Sequence, residues 1–79
     1  MEWISVKDRL PDNKGRYLVY EVWTYGNIIE TVSWTPKYNG FEEHLKGKAI
    51  WYNYDSEYGD FEVGDVTHWM PLPEPPNDI

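Results

Sequence analysis

RYLVYEVW, residues 16 to 23, decides the fold. Leu18, Tyr20 and Val22 fall on one side of an extended chain, and Tyr17, Val19 and Trp23 on the other, with Glu21 interrupting. Successive side chains of a strand point to opposite faces. Aromatic and β-branched residues at this density suit a pleated surface. With both sides largely apolar, the stretch predicts a central strand covered on both faces.

Upstream, Asp12-Asn13-Lys14-Gly15 is turn chemistry. Ser5 followed by Asp8 predicts one capped helical turn through Lys7 to Leu10. Pro11 ends it, because the residue before a proline is pushed out of the α region. Trp3-Ile4-Ser5-Val6 is a short apolar opening. Downstream, Thr24-Tyr25-Gly26-Asn27 reads as a hairpin loop. Ile28 to Thr35 forms the next strand, with Ile28, Val32 and Trp34 on one face and Ile29, Thr31, Ser33 and Thr35 on the other. Glu30 breaks the apolar side, which places it near a sheet rim. Pro36 stops the strand, and Lys37 to Gly40 is a second turn.

Phe41, His44 and Leu45 have helical spacing, but Gly47 limits any helix to about two turns. Ala49 to Tyr54 is a strand, Asp55 to Gly64 an acidic loop, and Val66 to Met70 the last strand. On that last strand His68 alternates with Val66 and Met70 and so shares their face. Pro71 to Pro76 then predicts polyproline II geometry, a rigid strap over a sheet edge or core end. The fold class is mainly β, with a small α+β variant left open. The architecture is a meander-like single antiparallel sheet or small open barrel of four to five strands, closed by the C-terminal proline-rich strap.

The 79 residues make one domain, 1–79. A chain this short buries only about 60% of the surface its unfolded form exposes. It has no cysteine for a disulfide or thiolate metal site; five Trp, seven Tyr and two Phe must supply the core. Oligomerisation would be another route, and a homo-oligomer is left open. Seven Lys plus Arg against fourteen Asp plus Glu give a net charge of −7. That balance argues against direct nucleic-acid binding, where basic residues neutralise phosphates, and suits a partner with a basic surface. No apolar run is long enough for a membrane span. The start, MEWISVKDRL, lacks the basic and apolar regions of a signal peptide, so the expected location is cytoplasmic.

Chemistry-bearing patterns are sparse. Ser5, Ser33 and Ser56 sit in no nucleophile-elbow context. His44 and His68 lack metal-binding spacing, and His68 reads as a packing residue. The glycines are isolated turn residues, not a phosphate loop. No enzyme, metal or cofactor is expected. The single PxxP match, Pro73 to Pro76, has no basic flank and is a weak ligand for a proline-reading groove.

The most unusual patch is NYDSEYGDFEVGD, residues 53–65: five carboxylates, interleaved aromatics and no basic residue. Its simpler reading is a solvated acidic loop with its aromatics folded inward. Calcium binding is disfavoured because the oxygens lack the DxDxDG order. The functional reading is a recognition surface, in which aromatics supply contact area and acids steer toward a basic partner. Its expected contact residues are Trp51, Tyr54, Asp55, Glu57, Tyr58, Asp60 and Glu62.

Trp3-Ile4-Ser5-Val6, Arg9-Leu10-Pro11, Tyr17-Leu18-Val19-Tyr20 and the ending Val66-Thr67-His68-Trp69-Met70-Pro71-Leu72-Pro73-Glu74-Pro75-Pro76 together carry a resemblance. The chain resembles the small phage and prophage proteins grouped as domain of unknown function 551. The two ends carry the likeness, and the middle, roughly Trp23 to Asp65, is more divergent. The resemblance implies phage or prophage origin in a bacterial cytoplasm and brings no activity or catalytic residues. The leading functional expectation is a phage accessory protein that binds and inhibits a host protein, such as a defence nuclease or nucleic-acid-binding complex. The alternative is an oligomeric small-molecule binder sequestering a nucleotide defence signal, with exposed Trp and Tyr stacking on bases and Lys37, Lys46 and Lys48 holding phosphates.

Overall fold

The computed structural model describes residues 2–73. Six strands form one antiparallel sheet: β1 (Ile4–Ser5), β2 (Gly15–Trp23), β3 (Gly26–Thr35), β4 (Ile50–Asp55), β5 (Gly59–Glu62) and β6 (Val66–Pro71). Their spatial order is β1-β6-β2-β3-β4-β5. β2 to β5 form a meander, but β6 returns to the free edge of β2 instead of pairing with β5, which corrects the simple meander. The count also exceeds four to five. β1 is a two-residue strand, and Gly59–Glu62 of the expected acidic loop is β5. The only helical element among the described residues is a 3-10 turn, Glu43–Leu45, within the ambiguous 41–48 stretch. The expected turn after Ser5 is present: the Asp8 and Arg9 amides donate to the Ser5 carbonyl, and the Lys7 amide donates to Ser5 Oγ.

The return of the chain from β5 to β6 requires curvature. Only residues 63–65 separate the two strands. Four inter-strand intervals on a flat sheet span about 19 Å. The four residue steps from Glu62 to Val66 reach at most about 14 Å. The sheet therefore curls toward one face, and the 63–65 crossover runs across the mouth of the curl. Two bonds anchor it: the Val63 amide donates to the Trp51 carbonyl at 2.8 Å, and the Val22 amide to the Asp65 carbonyl at 3.2 Å.

Inside the curl lies the core: Val19, Val32, Trp34, Trp51, Val63 and Trp69, with Ile4, Val6, Tyr17 and Val66 packed against it. Tyr17 stands edge-on to both Trp69 and Trp51, with ring centroids 5.3 and 6.1 Å apart. Trp34 and Trp51 lie 4.9 Å apart. The irregular segment after the first turn, residues 9–13, closes this end. Trp69 Nε1 donates to the Arg9 carbonyl (2.9 Å), Trp34 Nε1 to the Pro11 carbonyl (3.0 Å) and Tyr17 OH to the Asn13 carbonyl (2.8 Å). One short segment thus accepts from three aromatic donors, of which the Trp34 bond is buried.

The opposite face corrects the expectation that β2 is covered on both sides. Leu18 and Tyr20 are half-buried, and Val22 and Ile29 are exposed. A second cluster, Tyr38, Leu45 and Ile50 with Tyr52, covers that face only at β4. Its ring Tyr38 is overlain by the chain at Gly40, where a Cβ would collide with the phenol. Beside β1, Trp3, Tyr20 and His68 line a small cleft of about 190 Å³.

His68 and Met70 share this outer face, opposite Tyr20 and Leu18. Val66 does not, contrary to the simple alternation: a register shift after Tyr20 sets it opposite Glu21 and turns it to the core. Of the expected strap, Pro71 ends β6, Leu72 and Pro73 are exposed, and residues 74–76 lie outside the described residues, together with the PxxP match.

Candidate functional site

The seven residues expected to form a contact surface divide into three groups. Trp51 is 7% exposed and belongs to the core, so it is no surface contact. Asp55 and Asp60 hold the β4–β5 hairpin in place. Asp55 Oδ1 accepts the amides of Glu57 (2.7 Å) and Tyr58 (3.0 Å), an arrangement that folds the turn. Gly59 follows at φ +82°, a conformation that side chains disfavour. Asp60 Oδ2 accepts the Tyr38 hydroxyl at 2.5 Å and ties the hairpin to the second cluster. Burial, then that carboxylate, pushes the Tyr38 phenol above its usual range. Tyr54, Glu57, Tyr58 and Glu62 remain exposed. The hairpin thus presents two tyrosines and two carboxylates on a scaffold built by the other acids.

A second feature lies on the concave face beside that hairpin. β3 and β4 pair only where Ser33–Thr35 meets Ile50–Tyr52. Beyond those rungs a cavity of about 360 Å³ opens, with Glu30 of β3 on one side and Asn53 of β4 on the other. Glu21 and Trp23 of β2, Phe61 and Glu62 of β5 and the 63–65 crossover, with Asp65, complete the lining. The strand register assembles it. Glu30 pairs with Val19 and Ile28 with Glu21, so the two glutamates are diagonal neighbours on one face. The Val22–Asp65 backbone bond brings the third carboxylate alongside. Among the described residues, no lysine or arginine lines the cavity.

Glu21 is the outlier of the molecule. Its exposure is 0%, yet neither carboxyl oxygen has a hydrogen-bond partner among the described residues. Burial first, then the neighbouring carboxyls of Glu30 and Asp65, push its pKa from 4.5 up to about 8. Desolvation and like charge both disfavour an ionised carboxylate. A group left this way destabilises a small domain, and unsatisfied buried polar atoms concentrate where a protein does something other than fold. Trp23 and Phe61 are about half exposed at the rim, at 48% and 44%.

Sequence reading missed this site. Glu21 looked like an interruption in a strand, and Glu30 a rim residue. The available signal was a glutamate in each of two consecutive apolar strands on faces otherwise destined for the core. His68 reads as expected: its Nδ1 lies 2.9 Å from Thr67 Oγ1, and its ring packs edge-on against Tyr20. Among the described residues, no three His, Asp or Glu side chains converge to hold a metal ion, and no helix is long and apolar enough to cross a membrane.

No curated protein and no solved structure matches this chain. Residues 2–77 match the family described as protein of unknown function (DUF551), and the chain belongs to that family.

Proposed function

We propose that this chain is a phage- or prophage-encoded accessory protein, acting in the bacterial cytoplasm, that binds and inhibits a host protein with a basic surface. The observation that carries the reading is the acidic-aromatic end of the sheet. Exposed Tyr54, Glu57, Tyr58 and Glu62 stand on a braced hairpin beside a carboxylate-lined cavity. Rigid tyrosines supply contact area at low entropic cost. Acids around them speed encounter with a positively charged partner and disfavour nucleic acid. A net charge of −7 extends that field over the molecule.

Of the lysines considered for a nucleotide-binding alternative, Lys46 is paired with Glu43 at 2.9 Å. A cavity walled by carboxylates repels phosphate. No feature of the fold favours that alternative over the basic protein.

The test is capture of host proteins by the tagged chain at moderate and high salt, beside a variant carrying Tyr54→Ala, Glu57→Lys, Tyr58→Ala and Glu62→Lys. The expected result is a stoichiometric basic protein, lost at high salt and lost with the folded variant, whose activity the wild-type chain inhibits. Capture that survives the four substitutions would sink the reading.

A further inference from the structure

Four acids near one another do not make a site, since surfaces carry such clusters as solvated faces. The concave cavity differs in one respect. Its floor is a glutamate that is fully buried, with both oxygens unpartnered among the described residues. Cationic side chains that could have neutralised it are absent from the lining. Once ionised, this carboxyl lacks the N–H donors that a cation from outside this set of residues would supply.

The acceptors restrict what that is. The carboxylates do not converge as a metal site would, so the fitting cation is extended and reaches several of them at once. Glu21 lies at the floor, Glu30 on one wall and Asp65 on the crossover, with Trp23 and Phe61 at the rim. A guanidinium is planar, permanently charged and carries five donors in a fork that matches carboxylate geometry. It also sits favourably on aromatic faces and is less strongly hydrated than an ammonium ion. The cavity, at about 360 Å³, has room for the whole arginine side chain.

We propose that the cavity between β3 and β4 is a receptor for a single guanidinium group, held by Glu21, Glu30 and Asp65 and covered by Trp23. The source of the group is an arginine of the basic partner, and in that respect the inference rests on the proposed function. The affinity of the cavity for guanidinium does not.

Binding is coupled to a proton. The groups lining the cavity with Glu21 are Glu30 from β3, Glu62 from β5 and Asp65 from the crossover, all acidic, and neutral Asn53 from β4. In the empty cavity Glu21 therefore holds its proton at neutral pH. When the guanidinium enters, the Glu21 O–H bond breaks, the proton leaves to solvent, and the carboxylate accepts N–H bonds from the ligand. The cation keeps its own protons. Affinity consequently rises with pH up to about 8, where Glu21 is already ionised in the free protein. The rise is at most tenfold per pH unit for one proton.

The experiment is isothermal titration of the purified full chain with acetyl-Gly-Arg-Gly-amide, its lysine counterpart and agmatine. It is run at pH 6, 7 and 8 in two buffers of different ionisation enthalpy. The arginine peptide is expected to bind at least tenfold tighter than the lysine peptide and to release up to one proton at pH 7. Glu21→Gln is expected to abolish the proton release and weaken binding at least tenfold, and Glu30→Gln to weaken it without abolishing release. Agmatine binding as tightly as the arginine peptide would identify a free small cation as the source, and a tighter peptide would identify a partner's side chain. Failure of both guanidinium probes at millimolar concentration, equal binding of the lysine peptide, or unchanged binding by folded Glu21→Gln would each overturn the assignment. Guanidinium binding by a chain that captures no host protein would leave the cavity standing and remove the host-inhibition reading.

Discussion

The concave face has two ends built by the same strands and governed by opposite rules. At one end Tyr17, Trp34, Trp51 and Trp69 pack ring against ring, and Trp69, Trp34 and Tyr17 donate to the carbonyls of Arg9, Pro11 and Asn13. At the other, only a few residues along β2 and β3, Glu21 and Glu30 face each other beside Asp65, and Glu21 satisfies nothing among the described residues. Register explains the contrast. Where β3 and β4 pair, the curl closes over aromatics; where their pairing ends, the curl stays open over carboxylates. One end holds the fold together, and the other is held by it.

Removing a ring should break the closed end. Trp51 touches Tyr17, Trp34 and Trp69, so Trp51→Ala leaves a cavity at the centre of the cluster. The expected cost is about 3–5 kcal/mol. For a domain of this size that is most of the stability, and urea denaturation should show lost or nearly lost cooperative folding.

At the open end the sign reverses. Glu21 has a pKa of about 8 folded against 4.5 for the free group. Its contribution to stability is therefore fully present below about 4.5 and is lost as pH rises toward about 8, because only the unfolded state sheds the proton across that window. Glu21→Gln removes the linkage. It should raise stability at pH 8 by on the order of 2–4 kcal/mol and flatten the fall in melting temperature between pH 5 and pH 8. A variant less stable than wild type at pH 8 would contradict the account of Glu21.

A finer comparison asks whether the aromatic end depends on its polar ties as well as its packing. Trp34→Phe keeps a ring but orphans the buried Pro11 carbonyl. It should cost about 1–3 kcal/mol, read as a lower urea midpoint with an unchanged slope. The smallest effect belongs to a pair at neither end. Lys46 and Glu43 form an exposed bridge, and Lys46→Ala should change stability by less than about 0.5 kcal/mol.

Local pattern made much of this molecule legible. β2, β3, β4 and β6 all lie where aromatic and β-branched alternation, turn residues and prolines put them. Val32 and Trp34, grouped by alternation on one face of β3, both enter the core. Those signals are local because side-chain direction in a strand is set within two residues. Membership of the unknown-function family was likewise legible in the sequence.

The remainder depended on contacts distant in sequence. β5 was hidden because Gly59-Asp60-Phe61-Glu62 has poor strand propensity, and only pairing with β4 makes it a strand. Trp51 belonged to the core and not the surface because Trp34 and Trp69 surround it from other strands. Val66 left the face of His68 because of a register shift against β2, which no alternation within β6 could reveal. Most of all, two glutamates that each read as a break in an apolar strand became one site. Residue order determined that β2 and β3 would be strands and that each would carry a carboxylate. Only the tertiary structure decided that both carboxylates would lie inside the curl, because the short β5–β6 return forces the sheet to bend and carries Asp65 over them.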